Sequence, residues 1–579
     1  MSLMNTLARA EAVAGGRAVA AATVRHRHVG GEPFVLVPLT TAGEAGAPLG
    51  AMVGTVRDAP ELLVVPQPLD RELRFGFFAG LAGALLPLLD SYGDEVEVEP
   101  ATRNREETEV CADAPQIVVP NSAALEYVRL LGRSTRFLRT VEDPDAPHPV
   151  PVPVPLLGRW LTHYAERART PGSALLVAMT ELLTRHWASG QSAMEDQHLG
   201  ALLSWIDPPP GRDGAAAASR AQTGRGPDGL LFSPPAGPAT DPVFDNRVLA
   251  PAMTRYDKAR DALRADGPRD GARSARARAE LAAAEAEVRR LVGSQLRPAW
   301  DDVWRGIDLL RALPEGAHVA ERWKRDRWSF TGHRDRIRAG EPPQPKRDDA
   351  ITAAQKLSGR ETAQARLSAQ EALDDPLAMA ARRLTGEAFT GTVTGVGMTY
   401  SEGRRPMPRP LLTVRTADLP QAEPGAKAYR AVPGAKSAQS AELVAVQELA
   451  AVAGPAVPGA RRRPEHDPDT AGQTGADDGP RDDLDDDREP EPPRGESAPG
   501  ARWDVTVRLT GGMGSGRTPK EGSVPGVGET VCFTFFEHEP RGGPALPDAE
   551  QTPWTHGGPP GAAAPAPEAP DAVTPEDFL

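Results

Sequence analysis

The spacing of apolar positions changes character along this chain, and each change marks a new kind of element. From Pro33, short apolar runs bounded by glycine and proline read as strands at Phe34–Leu39, Ala51–Val56 and Glu61–Pro68. Glu72–Leu89 has the apolar density of a buried core helix. VEVE from Val96 and the run Gln116–Val119 read as further strands, and Asn121–Leu131 as a helix capped by Asn121 or Ser122. Together these predict an α/β domain over residues 1–147. The proline repeat His148–Pro155 is expected to be extended, because each proline removes an amide donor and biases the residue before it out of the helical region. Helices follow at Leu156–Arg169, Ser173–Trp187 and Glu195–Trp205, giving a helical unit over 156–207, and a Gly/Pro/Ala-rich linker occupies 208–245.

The longest regular signal lies in 246–385. Helices are predicted at Leu249–Ala265, Ala272–Gly293, Pro298–Leu313, Ala317–Arg338 and Arg347–Leu373. Ala277, Leu281, Ala284, Val288 and Leu291 follow the spacing of a two-helix coiled-coil seam, and Leu296, Trp300, Val303, Trp304, Ile307 and Leu310 draw one apolar stripe. The economical expectation is an antiparallel helical stalk. Beyond Leu384 the period becomes two, in Phe389–Val396, Pro410–Thr416, Trp503–Thr510 and Glu529–Phe536, with a weaker strand or short helix at Glu442–Leu449. This predicts a small β-barrel of the OB or SH3-like kind over 386–540, with a disordered acidic insert at about 455–500 and a disordered tail over 541–579. The expected fold class is multidomain α+β.

Charge bears on the function. A formal net charge of −14 argues against a nucleic-acid binder, since phosphate affinity comes from lysine and arginine. Its distribution weakens that objection: between Pro464 and Pro499 acids outnumber bases by about ten, and the remainder is near neutral with basic patches. The two cysteines, Cys111 and Cys532, are far apart and suggest neither a disulfide framework nor a zinc site. The first residues lack the apolar core of a signal peptide, and Phe77–Leu89 is too short and interrupted to span a bilayer. The expectation is a cytoplasmic protein without membrane contact.

Of the segments that carry chemistry, Gly511–Thr518 (GGMGSGRT) has the spacing of a phosphate loop with Arg517 in the lysine position. The following PKEGSVPGVGE is no helix, so the segment reads as a hairpin loop whose Arg517 and Lys520 can touch a nucleic-acid backbone. Glu321–Arg338 (ERWKRDRWSFTGHRDRIR) alternates cations with aromatics in an aromatic-poor chain. Arg322, Lys324, Arg325, Arg327, Arg334, Arg336 and Arg338 are candidate phosphate contacts, and Trp328 a candidate stacking residue. The simpler reading of the same helix makes Trp323, Phe330 and Ile337, seven apart, a packing seam with the charges as a solvated face. His26, His28 and Glu32 resemble a metal spacing without a second ligand cluster, and Asp94, Glu95, Glu97 and Glu99 alternate as an exposed strand face. The last residues, Glu576, Asp577, Phe578 and Leu579, are similar in character to the acidic, aromatic-tipped tails by which bacterial single-strand-binding proteins recruit partners. No catalytic, cofactor or metal motif stands out.

A helical stalk bearing a small barrel resembles the accessory insertion carried by some helicases, a resemblance that covers residues 246–540 and implies a nucleic-acid role. The expectation is a non-enzymatic nucleic-acid-associated protein, with DNA or RNA and an ATPase or helicase as partners. An interaction scaffold and an enzyme with its site in the N-terminal domain are the alternatives.

Overall fold

The computed structural model describes residues 3–44, 46–101, 106–235, 237–266, 272–402, 404–435, 437–449 and 502–540. The acidic insert and the C-terminal tail lie outside them. The chain forms two units. One comprises Met1–Ala381 and continues from His538; the other is Arg382–Glu537.

The first unit is built on a mixed five-stranded sheet. Its strands are β1 (Phe34–Thr40), β2 (Pro48–Gly54), β3 (Glu61–Val64), β6 (Ile117–Val119) and β7 (Leu176–Ala178), in the order β3-β2-β1-β6-β7, with β4 (Val96–Glu99) and β5 (Thr108–Cys111) forming a separate hairpin. β1 pairs antiparallel with β2 and parallel with β6, and β6 pairs parallel with β7. All seven residues of β1 are buried, so both faces of the sheet are covered. The covering comes from far along the chain. Helices α1 (Arg71–Ser91), α2 (Ser122–Thr135) and α3 (Pro153–Ala168) share one hydrophobic core with α4 (Ala250–Asp266), α5 (Ala272–Arg311) and α6 (Val319–Arg338).

Several expectations change in consequence. The boundary anticipated at residue 147 is crossed, because the fifth strand is Leu176–Ala178, from inside a segment expected to be helical. A short run buried on all sides has no period that separates strand from helix. The proline repeat is not extended throughout: α3 starts at Pro153, and Pro153 and Pro155 occupy a first turn where no intrahelical N–H is required. The segment expected as linker contains the helix Gly214–Thr223, whose Ala218 and Ala221 pack with Ala201 and Trp205.

The helices of 246–385 do not form a separate stalk. α4 folds back on the first half of α5, where Val288 and Leu291 of the expected seam are buried, but the second half of α5 enters the sheet's core. α5 also runs unbroken through Pro298 for 40 residues. An interior proline costs about 3 kcal/mol, and the burial of Leu296, Trp300, Val303, Ile307 and Leu310 on either side offsets it. Trp300 is fully buried, stands edge-on to Trp304 at 5.9 Å, and donates from Nε1 to the Arg57 carbonyl at 2.9 Å. α1 is long and apolar enough to cross a membrane by length and composition, yet Phe77, Phe78, Leu81, Leu85 and Leu89 lie in this core.

The second unit is a closed barrel of six strands, every pair antiparallel. In chain order these are β8 (Ala388–Gly397), β9 (Leu411–Thr416), β10 (Lys427–Arg430), β11 (Gln439–Leu449), β12 (Arg502–Leu509) and β13 (Thr530–Thr534). Phe389, Val414, Leu443, Val505, Val507 and Phe533 fill it, with Phe389 stacked on Phe533. β10 was not anticipated: KAYR offers one short alternation and no β-branched residue.

Because Trp300 stands at the centre of this packing, Trp300→Ala should cost the first unit about 3–5 kcal/mol in urea denaturation; a loss below about 1 kcal/mol would place the helix outside the core. Burial also holds several histidines neutral, pushing His28, His186 and His538 down to about 4 and His333 to about 3. Above the ordinary value near 6.5 neither state takes up protons at these sites. As pH falls below it the unfolded chain binds protons that the folded chain refuses, so stability should fall progressively down to about pH 4. His318, raised by its hydrogen bond to Asp374, opposes this with one group. A urea midpoint that stays flat from pH 7 to 4.5 would contradict it.

Candidate functional site

The arginine-rich helix α6 is tied into its own unit along most of its length. Trp323 and Phe330 are buried in the core, with Ile337 packed against it, so the seven-residue seam is structural. Arg322, expected to contact phosphate, is buried and donates to Gln370 Oε1 at 2.8 Å and to the His26 carbonyl at 2.9 Å. It is a structural arginine, and burial lowers its pKa. The next turns are met by the β4–β5 hairpin. Lys324 pairs with Glu99 at 2.7 Å, and Arg327 pairs with Glu97 and donates to the Cys111 carbonyl at 3.0 Å. Trp328 is half-buried and donates to Glu99 at 3.3 Å, while Arg334 reaches the Gly93 carbonyl and Cys111 Sγ, both at 3.0 Å. Arg325 pairs with Glu321 one turn back.

Two features of the sequence thus answer one another. The alternating acids Glu97 and Glu99 and the alternating cations of α6 are the two sides of one intramolecular contact. Of the proposed contacts on this helix, Arg336 and Arg338 are exposed near its end, and Arg336 lines a cavity described below.

The histidines near the N-terminus also have internal roles. His26 Nε2 lies 3.1 Å from Asp375 Oδ2, and Asp375 accepts from the Thr23 amide and hydroxyl at 2.9 Å. His28 stacks on Trp323, with ring centroids 4.0 Å apart. His26 and His28 therefore serve different neighbours and share no ligand.

The barrel presents a different picture at one end, where the β8–β9 loop (398–410) and the loop after β12 (510–529) meet. The glycine-rich loop is an ordered connection: Gly512 and Gly514 have positive φ of 74° and 85°, a conformation glycine adopts without steric cost, and no helix follows. Met513 is buried beneath it. Arg430 donates to Gln439 Oε1 at 2.8 Å and to the Ser523 carbonyl at 3.0 Å, and Gln439 donates to the same carbonyl at 2.9 Å, clamping the loop to the barrel. The loop's Arg517 lies with its guanidinium 5.7 Å from the centroid of the Tyr400 ring, on the opposite loop. Arg404, Arg405 and Arg409 belong to that loop, and Lys520 follows Arg517.

The chain matches no protein-family model, no curated protein and no solved structure.

Pairing separates this end from the barrel wall. On the wall and beside it Arg383 pairs with Asp418 at 2.7 Å, Arg415 with Asp504 at 2.9 Å and Arg508 with Glu442 at 3.5 Å. At the loop end no ion pair joins Arg404, Arg405, Arg409, Arg517 or Lys520 to a carboxylate among the described residues, although Glu402 and Glu521 are close in sequence. Tyr400 is 45% exposed and Met398 46% exposed beside them. Arg517 and Lys520 were identified from the sequence. Tyr400, Arg404, Arg405 and Arg409 were not, although GRRPMPRP between two strands is a basic hairpin signal. The tail residues Glu576, Asp577, Phe578 and Leu579 lie outside the described residues.

Arg322→Met should leave the buried Gln370 Oε1 without its donor, while the His26 carbonyl keeps Arg27 Nη1 at 3.2 Å, and should cost about 1–3 kcal/mol for the one buried group left unsatisfied. Lys324→Ala, at an exposed pair, should cost under about 1 kcal/mol. Equal losses in urea titrations would contradict this assignment of roles.

Proposed function

We propose that this protein is a non-enzymatic nucleic-acid-associated protein that engages a single strand through the loop end of its barrel, as an accessory to an ATPase or helicase. The observation that carries the reading is the contact of Arg517 with the Tyr400 ring, which ties the glycine-rich loop to the arginine-rich hairpin loop. Unpaired cations beside an accessible aromatic ring suit a sequence-tolerant strand. The cations neutralise phosphates, and the free face of the ring stacks on a base. The OB or SH3-like character expected of the barrel belongs to the same proposal. The body of the arginine-rich helix has no part in it, since its cations up to Arg334 are engaged by Gln370, Glu97, Glu99, Glu321, Asp335 and backbone carbonyls, and Arg336 and Arg338 at its end are left without a carboxylate among the described residues.

The test is fluorescence anisotropy with a labelled single-stranded oligonucleotide over a salt series. Tyr400→Ala should weaken binding by about 1–3 kcal/mol, the range for one base stacked on an aromatic side chain. Arg404→Ala, Arg405→Ala, Arg517→Ala and Lys520→Ala together should lower the salt slope by about 0.7 for each phosphate no longer neutralised. Trp328→Ala should leave affinity unchanged. Full affinity in the fourfold variant, or its loss in Trp328→Ala, would overturn the proposal.

A further inference from the structure

A second basic feature lies in the first unit, and it is a cavity rather than a surface. α2 and α3 cross in close contact at two glycines. A Cβ on Gly132 would stand 2.6 Å from the Thr162 amide, and one on Gly158 2.4 Å from the Arg136 amide. This crossing brings Arg133 and Arg136, at the end of α2, beside Arg159 and His163 on α3. The end of α6 adds His333 and Arg336, and the proline-rich strap 339–349 crosses in front. Between them is a cavity of about 540 Å³.

Its wall carries more positive charge than its own acids answer. Glu166 is engaged by Arg360 at 3.1 Å and Asp348 by Lys356 at 2.6 Å. Arg133, Arg136, Arg159, Arg336 and Lys346 line the cavity, and no ion pair joins any of them to a carboxylate among the described residues. Glu341 is the acid felt by Arg159. The histidines do not add to this charge. His163 and His333 are stacked in parallel at 4.1 Å, both are buried, and burial with the neighbouring arginines keeps them neutral.

The hydrogen-bond pattern points the same way. Arg136 is 3% exposed. Its Nε donates to the Gln344 carbonyl at 3.0 Å and its Nη2 to the Pro345 carbonyl at 3.1 Å, stitching the strap down. Its Nη1 is buried and donates to nothing, and Arg159 Nε and His163 Nε2 are likewise buried without a partner. A buried guanidinium donor without an acceptor is costly, and two such donors on one cavity wall, with a buried imidazole nitrogen beside them, describe the complement of an oxygen-rich anion.

We propose that this cavity binds a small polyphosphate anion, a ligand bearing two or more linked phosphoryl groups. The number of unpaired cations exceeds what a monoanion would balance. Guanidinium forks match phosphoryl oxygens, and the volume falls in the range of ordinary small-molecule sites. A polyphosphate would take the orphaned donors and counter what lowers the pKa of Arg136 and Arg159, which is burial first and then repulsion from Arg133 and Arg336 respectively.

The test is calorimetric titration and thermal unfolding of the full chain with inorganic pyrophosphate, a nucleoside triphosphate, orthophosphate and the unphosphorylated nucleoside. Pyrophosphate and the triphosphate should bind and raise the Tm, orthophosphate should bind at least tenfold more weakly, and the nucleoside should not bind. Arg159→Met should weaken pyrophosphate at least tenfold. Because a substitution within the helix crossing can disturb folding, Arg336→Ala and Lys346→Ala, both at exposed positions, should each weaken it several-fold with no change in the unliganded Tm. The fourfold barrel variant should bind pyrophosphate normally, which separates this site from the proposed nucleic-acid surface. Absence of pyrophosphate binding, equal affinity for orthophosphate, or indifference to Arg336→Ala and Lys346→Ala would overturn the proposal.

Discussion

Phe34–Thr40 is buried along its whole length, and a strand buried on both faces must be roofed on both. That requirement organises the first unit. No single stretch of the chain supplies enough helix to cover the sheet, so the core draws on α1 and the α2–α3 pair from nearby and on α5 and α6 from beyond residue 270. Helices whose periodicity suggests a stalk become a layer of a larger domain, and the arginines they carry are carried in with them.

The fate of those arginines decides where function can lie. A guanidinium brought toward a core has to find acceptors, and along most of α6 it finds at least two: Arg322 donates from both terminal nitrogens, to Gln370 and a carbonyl, with only its Nε left over, and Arg327 takes Glu97 and a carbonyl. Such pairs hold a helix in place and leave little charge for a ligand. The same accounting, applied to the loop end of the barrel and to the cavity under the 339–349 strap, leaves cations over. Positive charge in this protein is informative where it is unpaired, not where it is dense.

Local patterns were largely legible in the sequence. The strand Phe34–Thr40, the Asn121 cap, which accepts from the Ala124 amide at 2.9 Å, the Trp323–Phe330–Ile337 seam and four of the six barrel strands all follow from short-range periodicity and turn residues, while Gln439–Leu449 is ambiguous between strand and helix. What escaped depends on partners distant in sequence. Leu176–Ala178 is a strand only because Ile117–Val119 lies beside it, and α5 passes through Pro298 only because both of its flanks are buried. The candidate sites divide in the same way. Arg517 and Lys520 stood out as a basic loop, but the cavity of Arg136 and Arg159 needs the close approach at Gly132 and Gly158, and no sequence pattern announces that approach.

The central claim is that nucleic acid meets the loop end of the barrel and not the arginine-rich helix. Photo-crosslinking of the full chain to a single-stranded oligonucleotide, with the sites mapped by peptide mass spectrometry, tests it most directly. Crosslinks are expected within 398–410 and 511–520, Tyr400 prominent among them, and none within 319–338. Crosslinks concentrated at Trp323–Arg338, with the barrel loops unlabelled, would contradict it.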